Sequence, residues 1–141
     1  MAEVVVDASI ALKWALDDEE AVEQAVALRD AAVEGRIVLL APTLWVYELA
    51  NGLVSAVRRD RLSRAEAGQA LEHLLAIGVE LADPAPAATF QEATRHKLSA
   101  YDAAYVALAR ALQAPFVTGD RPLARAVRDL DVRWIGAGTA E

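Results

Sequence analysis

Nearly continuous apolar runs, separated by stretches of helical period, constrain this chain more than any other feature. Residues 3–7 (EVVVD), 37–41 (IVLLA) and 116–118 (FVT) lack the apolar–polar alternation of a strand with one wet face. Such runs suit strands covered on both sides, as in a parallel sheet between helices. Two weaker strand signals follow at 79–82 (VELA) and 132–135 (VRWI). Between them the periodicity predicts helices over 9–16, 19–34, 44–59, 64–77, 87–97, 100–113 and 121–129. Strand and helix therefore alternate, which implies an α/β fold with a parallel sheet and helices on both faces. No repeat, low-complexity tract or linker interrupts the pattern, so residues 1–141 read as one domain.

Local signals sharpen the helix ends. Ser63 and Glu66 have capping-box spacing, and Ser99 precedes the 100–113 helix as a cap. Thr43 is placed to cap the 44–59 helix. Asp17, Asp18, Glu19 and Glu20 suit the positive N-terminal end of the 19–34 helix. Gly35 and Gly78 are stop signals.

The chain has no cysteine, which excludes disulfides and thiolate metal sites. Its two histidines, His73 and His96, lack a partner at zinc-ligand spacing. Residues 1–16 do not read as a signal peptide, and no stretch approaches a membrane span, so a soluble, cytoplasmic protein is expected. The net charge is −7, which taken alone argues against nucleic acid as a ligand.

In parallel sheets, ligands bind beyond the carboxyl ends of the strands. Asp7 ends the first strand and Asp120 follows the 116–118 strand, so both should reach that edge. Glu48 lies in the first turns of the 44–59 helix, and Asp102 in the first turn of the 100–113 helix. Each acid also has a plainer use. Asp7 and Asp120 would cap the helices that follow them, Asp102 stands at capping-box spacing from Ser99, and Glu48 would be a solvated helix residue. Context favours chemistry. Residues 100–114 are apolar nearly all round, and their only charges are Asp102 and Arg110. A carboxylate on such a helix is costly unless it is paired or holds a metal. Glu48, Asn51, Gly52 and Ser55 form a small polar face on their helix, and Gly52 there signals close packing or access. Several carboxylates sharing a pocket need a counter-charge, and oxygen-only ligands suit Mg²⁺ or Mn²⁺.

The segments VVVDASIALKW, APTLWVYELANGL, LSAYDAAYVALARAL and PFVTGDRPLA together resemble the PIN-domain family, most closely its VapC toxins. The resemblance covers nearly the whole chain in the right order. It implies a three-layer α/β/α sandwich with a parallel five-stranded sheet and an Mg²⁺- or Mn²⁺-dependent endoribonuclease. It places Asp7, Glu48, Asp102 and Asp120 on the family's acidic positions as catalytic residues and metal ligands, Asp120 more indirectly through water. Ser9 and Thr118 fall on polar positions of the same pocket, and Asn51 on a neighbour of Glu48. The resemblance further implies an RNA substrate, a homodimer and a cognate VapB-like antitoxin that inhibits the toxin. Lys13, Arg58, Arg59, Arg61, Lys97, Arg121 and Arg125 are the candidates for a basic rim that guides RNA.

Two other classes compete. A haloacid-dehalogenase-type phosphatase requires a second Asp two residues after the first, where this chain has Ser9; a receiver domain requires paired acids and a late-strand Lys, which are absent. A non-catalytic PIN-like binding module would have lost one or more acids, and all four are present.

Overall fold

The computed structural model describes residues 2–137. Five parallel strands form one sheet in the order β3-β2-β1-β4-β5. They are β1 (Ala2–Val6), β2 (Ile37–Ala41), β3 (Glu80–Leu81), β4 (Phe116–Thr118) and β5 (Val132–Trp134). The helices are α1 (Ala8–Leu12), α2 (Val22–Val33), α3 (Leu44–Arg58), α4 (Arg64–Leu75), α5 (Pro86–His96), α6 (Ala100–Leu112) and α7 (Arg121–Ala126). A 3₁₀ turn at Ile135–Ala137 follows β5.

The continuous apolar runs are explained by two cores, one on each face of the sheet. Val5, Leu40 and Phe116 face the larger core with Trp45 and Leu49 of α3, Leu74 of α4 and Tyr105 of α6. Val4, Val6, Leu39 and Val117 face the other, against Ala25 of α2 and Ile135. Alternate residues of one run thus enter opposite cores, as the pleat requires. The three-layer α/β/α expectation holds.

α1 sits at the carboxyl edge and feeds both cores, with Ala8 and Ala11 on one side and Ile10 on the other. It approaches α3 closely. A Cβ built on Gly52 would lie 2.4 Å from Leu12 Cδ1, so the absent side chain is what lets the two helices meet. Gly52→Val is expected to destabilise the fold by about 1–3 kcal/mol through overpacking. Leu12→Ala in the same chain should recover part of that loss in urea denaturation. A fully additive double variant would place the strain elsewhere.

Several sequence expectations shift. The 9–16 helix ends at Leu12 and tightens into i→i−3 turns, with Lys13 N–H on Ile10 C=O (3.1 Å) and Trp14 N–H on Ala11 C=O (2.9 Å). The second helix starts at Val22, after Ala21 in a left-handed conformation (φ 60°). The acids at 17–20 do not enter its first turn, because three of them serve cations elsewhere. Asp18 and Glu19 bind Arg61 (2.5 and 2.7 Å), and Glu20 lies 3.5 Å from Arg121. Thr43 is not a side-chain cap; its N–H and hydroxyl donate to Asp83 (2.8 and 3.0 Å). The 79–82 strand shrinks to Glu80–Leu81. The 121–129 helix ends at Ala126, where Val127 turns extended and leads to Asp129, which pairs with Arg110 and Arg95. Ser63–Glu66 forms the expected capping box, and Ser99 accepts from Asp102 N–H.

Candidate active site

Strand order turns at β1: β2 pairs on one side of it and β4 on the other. At this switch point, the connections from adjacent strands leave in opposite directions and open a crevice at the carboxyl edge. Val6 pairs with Val117 in register, so the next residues, Asp7 and Thr118, become neighbours there.

Asp7 is the most enclosed of the four candidate acids, 8% exposed. Its Oδ1 accepts from Ser9 Oγ (2.5 Å) and Ile10 N–H (3.4 Å), and its Oδ2 accepts from the Thr118 hydroxyl. Ser9 Oγ in turn accepts from Gly119 N–H (2.8 Å), and Thr118 Oγ1 from Asp120 N–H (3.0 Å). The two hydroxyls therefore lace the β1–α1 turn to the β4–α7 turn through one carboxylate. Gly119 leaves room for this: a Cβ there would stand 2.8 Å from Ser9 Oγ and 3.1 Å from Lys13 Cε.

The other acids follow in sequence around the edge. Burial pushes Asp7 up to about 6, against its three donors, and the charge of Glu48 adds to the rise. Burial also raises Glu48, with the charge of Asp102 adding and a hydrogen bond from Tyr105 opposing. Burial raises Asp102, with the charge of Asp120 adding. Each acid thus feels the next, Asp7 to Glu48 to Asp102 to Asp120. The sequence reading sent these acids to one edge, and in the structure the charge of one acid reaches the next in the pairs Asp7–Glu48, Glu48–Asp102 and Asp102–Asp120. In each case burial is the larger cause and the neighbouring charge the smaller.

The helix-cap uses of Asp7 and Asp120 are also real: Asp7 caps α1, and Asp120 Oδ1 accepts from Leu123 N–H (3.0 Å) to cap α7. Cap and pocket roles coexist because a carboxylate has two oxygens. Ser9 and Thr118 both donate to Asp7. Asn51 is exposed, and among the described residues no hydrogen bond ties it to the acids. Tyr105 was missed as a site residue. Its hydroxyl donates to Glu48 Oε1 (2.5 Å), and burial together with the surrounding acids holds the phenol far above its ordinary range, so it stays a donor. Its position three residues after Asp102 was the available signal, since residues at i and i+3 share a helix face.

The basic rim needs correction. Lys13 is buried, 6% exposed, with its ammonium on the Glu20 carbonyl (2.6 Å). Arg61 is engaged by Asp18 and Glu19, and Arg121 lies over the Trp134 ring (3.7 Å) beside Glu20. Arg58, Arg59, Lys97 and Arg125 remain exposed. A concavity of about 520 Å³ lined by Trp14, Arg29, Val33, His73 and Ile77 contains none of these four acids.

The donor set is made of hard carboxylate oxygens in a like-charged group, which fits a divalent cation of the Mg²⁺ or Mn²⁺ type. Among the described residues, no three Asp, Glu or His side chains are already drawn together around an ion-sized space.

A parallel sheet in this order, with linked acids at its switch point, defines an α/β protein with an acidic polar site. The chain belongs to the PIN-domain family, whose model matches residues 4–129. Within it the chain is VapC-like. It is 38% identical over 117 residues to ribonuclease VapC9 of Mycobacterium tuberculosis, covering 83% of this chain and 85% of that one. It is likewise 38% identical to ribonuclease VapC3 of Pyrobaculum aerophilum, covering 86% and 92%. The fold superposes on PAE2754 from Pyrobaculum aerophilum with a TM-score of 0.70 at 27% identity, covering 93% and 90% of the two chains.

Proposed function

We propose that this protein is the toxin endoribonuclease of a toxin–antitoxin pair, hydrolysing RNA phosphodiester bonds at the acid cluster with Mg²⁺ or Mn²⁺. The observation that carries the reading is the coupling of Asp7, Glu48, Asp102 and Asp120 at the sheet's switch point. The VapC ribonuclease relatives support the reaction class. Asp7, Glu48 and Asp102 would hold the ion, with Asp120 at its margin. When bound, the ion supplies charge neutralisation and Lewis-acid polarisation of the phosphate.

The chain's own residues prepare that site. Ser9 and Thr118 pin both oxygens of Asp7, so its carboxylate cannot rotate away. Glu48, Asp102 and Asp120 are half-buried, with Glu48 held by Tyr105 and Asp120 by the Leu123 N–H. Burial around Asp7 excludes water and strengthens its field. The acidic edge also suits a basic segment of an antitoxin as an inhibitor, and the net charge of −7 agrees with such a partner. We further propose a homodimer and a cytoplasmic setting; no helix among the described residues is long and apolar enough to cross a membrane. A small basic rim favours a structured RNA cut at a single-stranded loop over general RNA affinity.

The test is cleavage of a panel of structured RNAs, tRNAs included, by antitoxin-free protein with Mg²⁺ or Mn²⁺ and with EDTA. Asp102→Asn serves as the control. Cuts that require the ion and vanish in the variant are expected. Cuts that persist in EDTA or in Asp102→Asn would remove the acid cluster from the reaction.

A further inference from the structure

The carboxylates of this site are held very differently. Asp7 has three donors, whereas Glu48 has one among the described residues, the Tyr105 hydroxyl at 2.5 Å. Glu48 projects from α3 on a long flexible side chain, and Tyr105 belongs to α6. The bond therefore spans two helices that each carry an acid of the cluster. We infer that Tyr105 is a positioning residue for Glu48: it occupies Oε1 and leaves Oε2, which has no hydrogen-bond partner among the described residues, available to a cation that Glu48 would hold. This inference rests on the metal-site reading above.

Three observations make Tyr105 a fixed point rather than an adaptable neighbour. Its side chain is 1% exposed. Its ring stacks on Phe116 of β4, with centroids 5.6 Å apart and planes within 8°. Phe116 is itself fully buried and pairs in register with Val5, two residues before Asp7. The hydroxyl is thus referenced to the same strand pair that places Asp7. Asp102 lies one turn earlier on the same helix, so α6 supplies both an acid and the anchor of another acid. Partners of metal ligands that fix orientation in this way typically change metal affinity about 10- to 100-fold when removed.

A purely structural role gives a different expectation. A buried phenol needs an acceptor, and Glu48 would serve as any acceptor would. Tyr105→Phe keeps the ring and its stacking and removes only the hydroxyl. Mn²⁺ binding to the full chain, read from the electron paramagnetic resonance of free Mn²⁺, is expected to weaken about 10-fold in this variant. Tyr105→Phe/Glu48→Gln should bind Mn²⁺ no more weakly than Glu48→Gln alone, because the hydroxyl acts only through that carboxylate. Wild-type affinity in Tyr105→Phe, or losses that multiply in the double variant, would overturn the inference.

A second measurement does not depend on the variant folding. The tyrosine ¹³Cζ resonance of Tyr105 in the unsubstituted protein should move on Mg²⁺ saturation and stay put in Glu48→Gln. A response of equal size in Glu48→Gln would show that the hydroxyl senses the ion by another route. Absence of Mn²⁺ binding by the unsubstituted protein overturns the metal-site reading itself, and this inference with it.

Discussion

Asp7→Asn is expected to make the metal-free protein more stable at pH 7.5 while abolishing RNA cleavage. Asp7 is held neutral up to about pH 6 in the folded chain, against an ordinary 3.8. The folded state therefore binds this proton more tightly than the unfolded state does. Stability linked to it is fully present below about pH 4 and is lost as pH rises through about 6. A carboxyl moved that far corresponds to roughly 3 kcal/mol of penalty at neutral pH. Asparagine removes the charge and keeps an oxygen for Ser9 and Ile10, but it turns a donor towards Thr118, whose hydroxyl proton then lacks its acceptor. That loss offsets about 1 kcal/mol. A net gain of about 2 kcal/mol remains, roughly 5 °C in melting temperature.

The gain should disappear towards pH 4, leaving Asp7→Asn about 1 kcal/mol less stable than wild type there, and it should reach its full size by pH 7. Melting in EDTA across this range isolates the effect, since exposed ion pairs are common to both proteins. Cleavage should fall by about 10³-fold or more, as when a preorganised charge-stabilising group is removed. A variant that is less stable than wild type at pH 7.5, or a difference that does not change with pH, would refute the account of Asp7 as a strained, functional charge.

How much of this was legible beforehand depends on the range over which each signal acts. The strands at 37–41 and 116–118 were plain because a run buried on both faces leaves a one-dimensional trace. The capping box at Ser63 was equally local. The acids could be sent to one edge because strand direction fixes where a βα turn lies. Their order of coupling could not, because it depends on the register of β1 with β4 and on where α3 and α6 dock. Tyr105 and Lys13 show the same limit. Each gains its role from a partner far along the chain or across a turn: Glu48 for Tyr105, and the Glu20 carbonyl with Gly119 for Lys13. The 17–20 acids were misplaced because propensity assigns them to the nearest helix dipole, while tertiary contact gives Asp18 and Glu19 to Arg61, beyond α3, and Glu20 to Arg121. A dipole contributes only about 0.3–1 kcal/mol at an exposed end, so a guanidinium fork prevails.

The helix that carries Glu48 is held by Trp45, one turn earlier, and Trp45→Ala is expected to cost about 3–5 kcal/mol. Trp45 is 2% exposed and packs in the larger core with Tyr105 and Phe116. Its burial is imperfect, because its indole Nε1 finds no hydrogen-bond partner among the described residues. An unpaired buried donor carries a penalty of about 1–3 kcal/mol. Trp45→Phe therefore loses ring volume and also sheds that penalty. Its net cost is expected to stay below about 1.5 kcal/mol in urea denaturation, far from that of alanine. Cleavage by Trp45→Phe should remain near that of wild type, because Glu48 keeps its own donor, Tyr105. A phenylalanine variant as unstable as the alanine one would mean that Nε1 is satisfied in solution by a buried water. Trp45 would then anchor α3 by a hydrogen bond as well as by packing, and the placement of Glu48 would rest on two polar contacts instead of one.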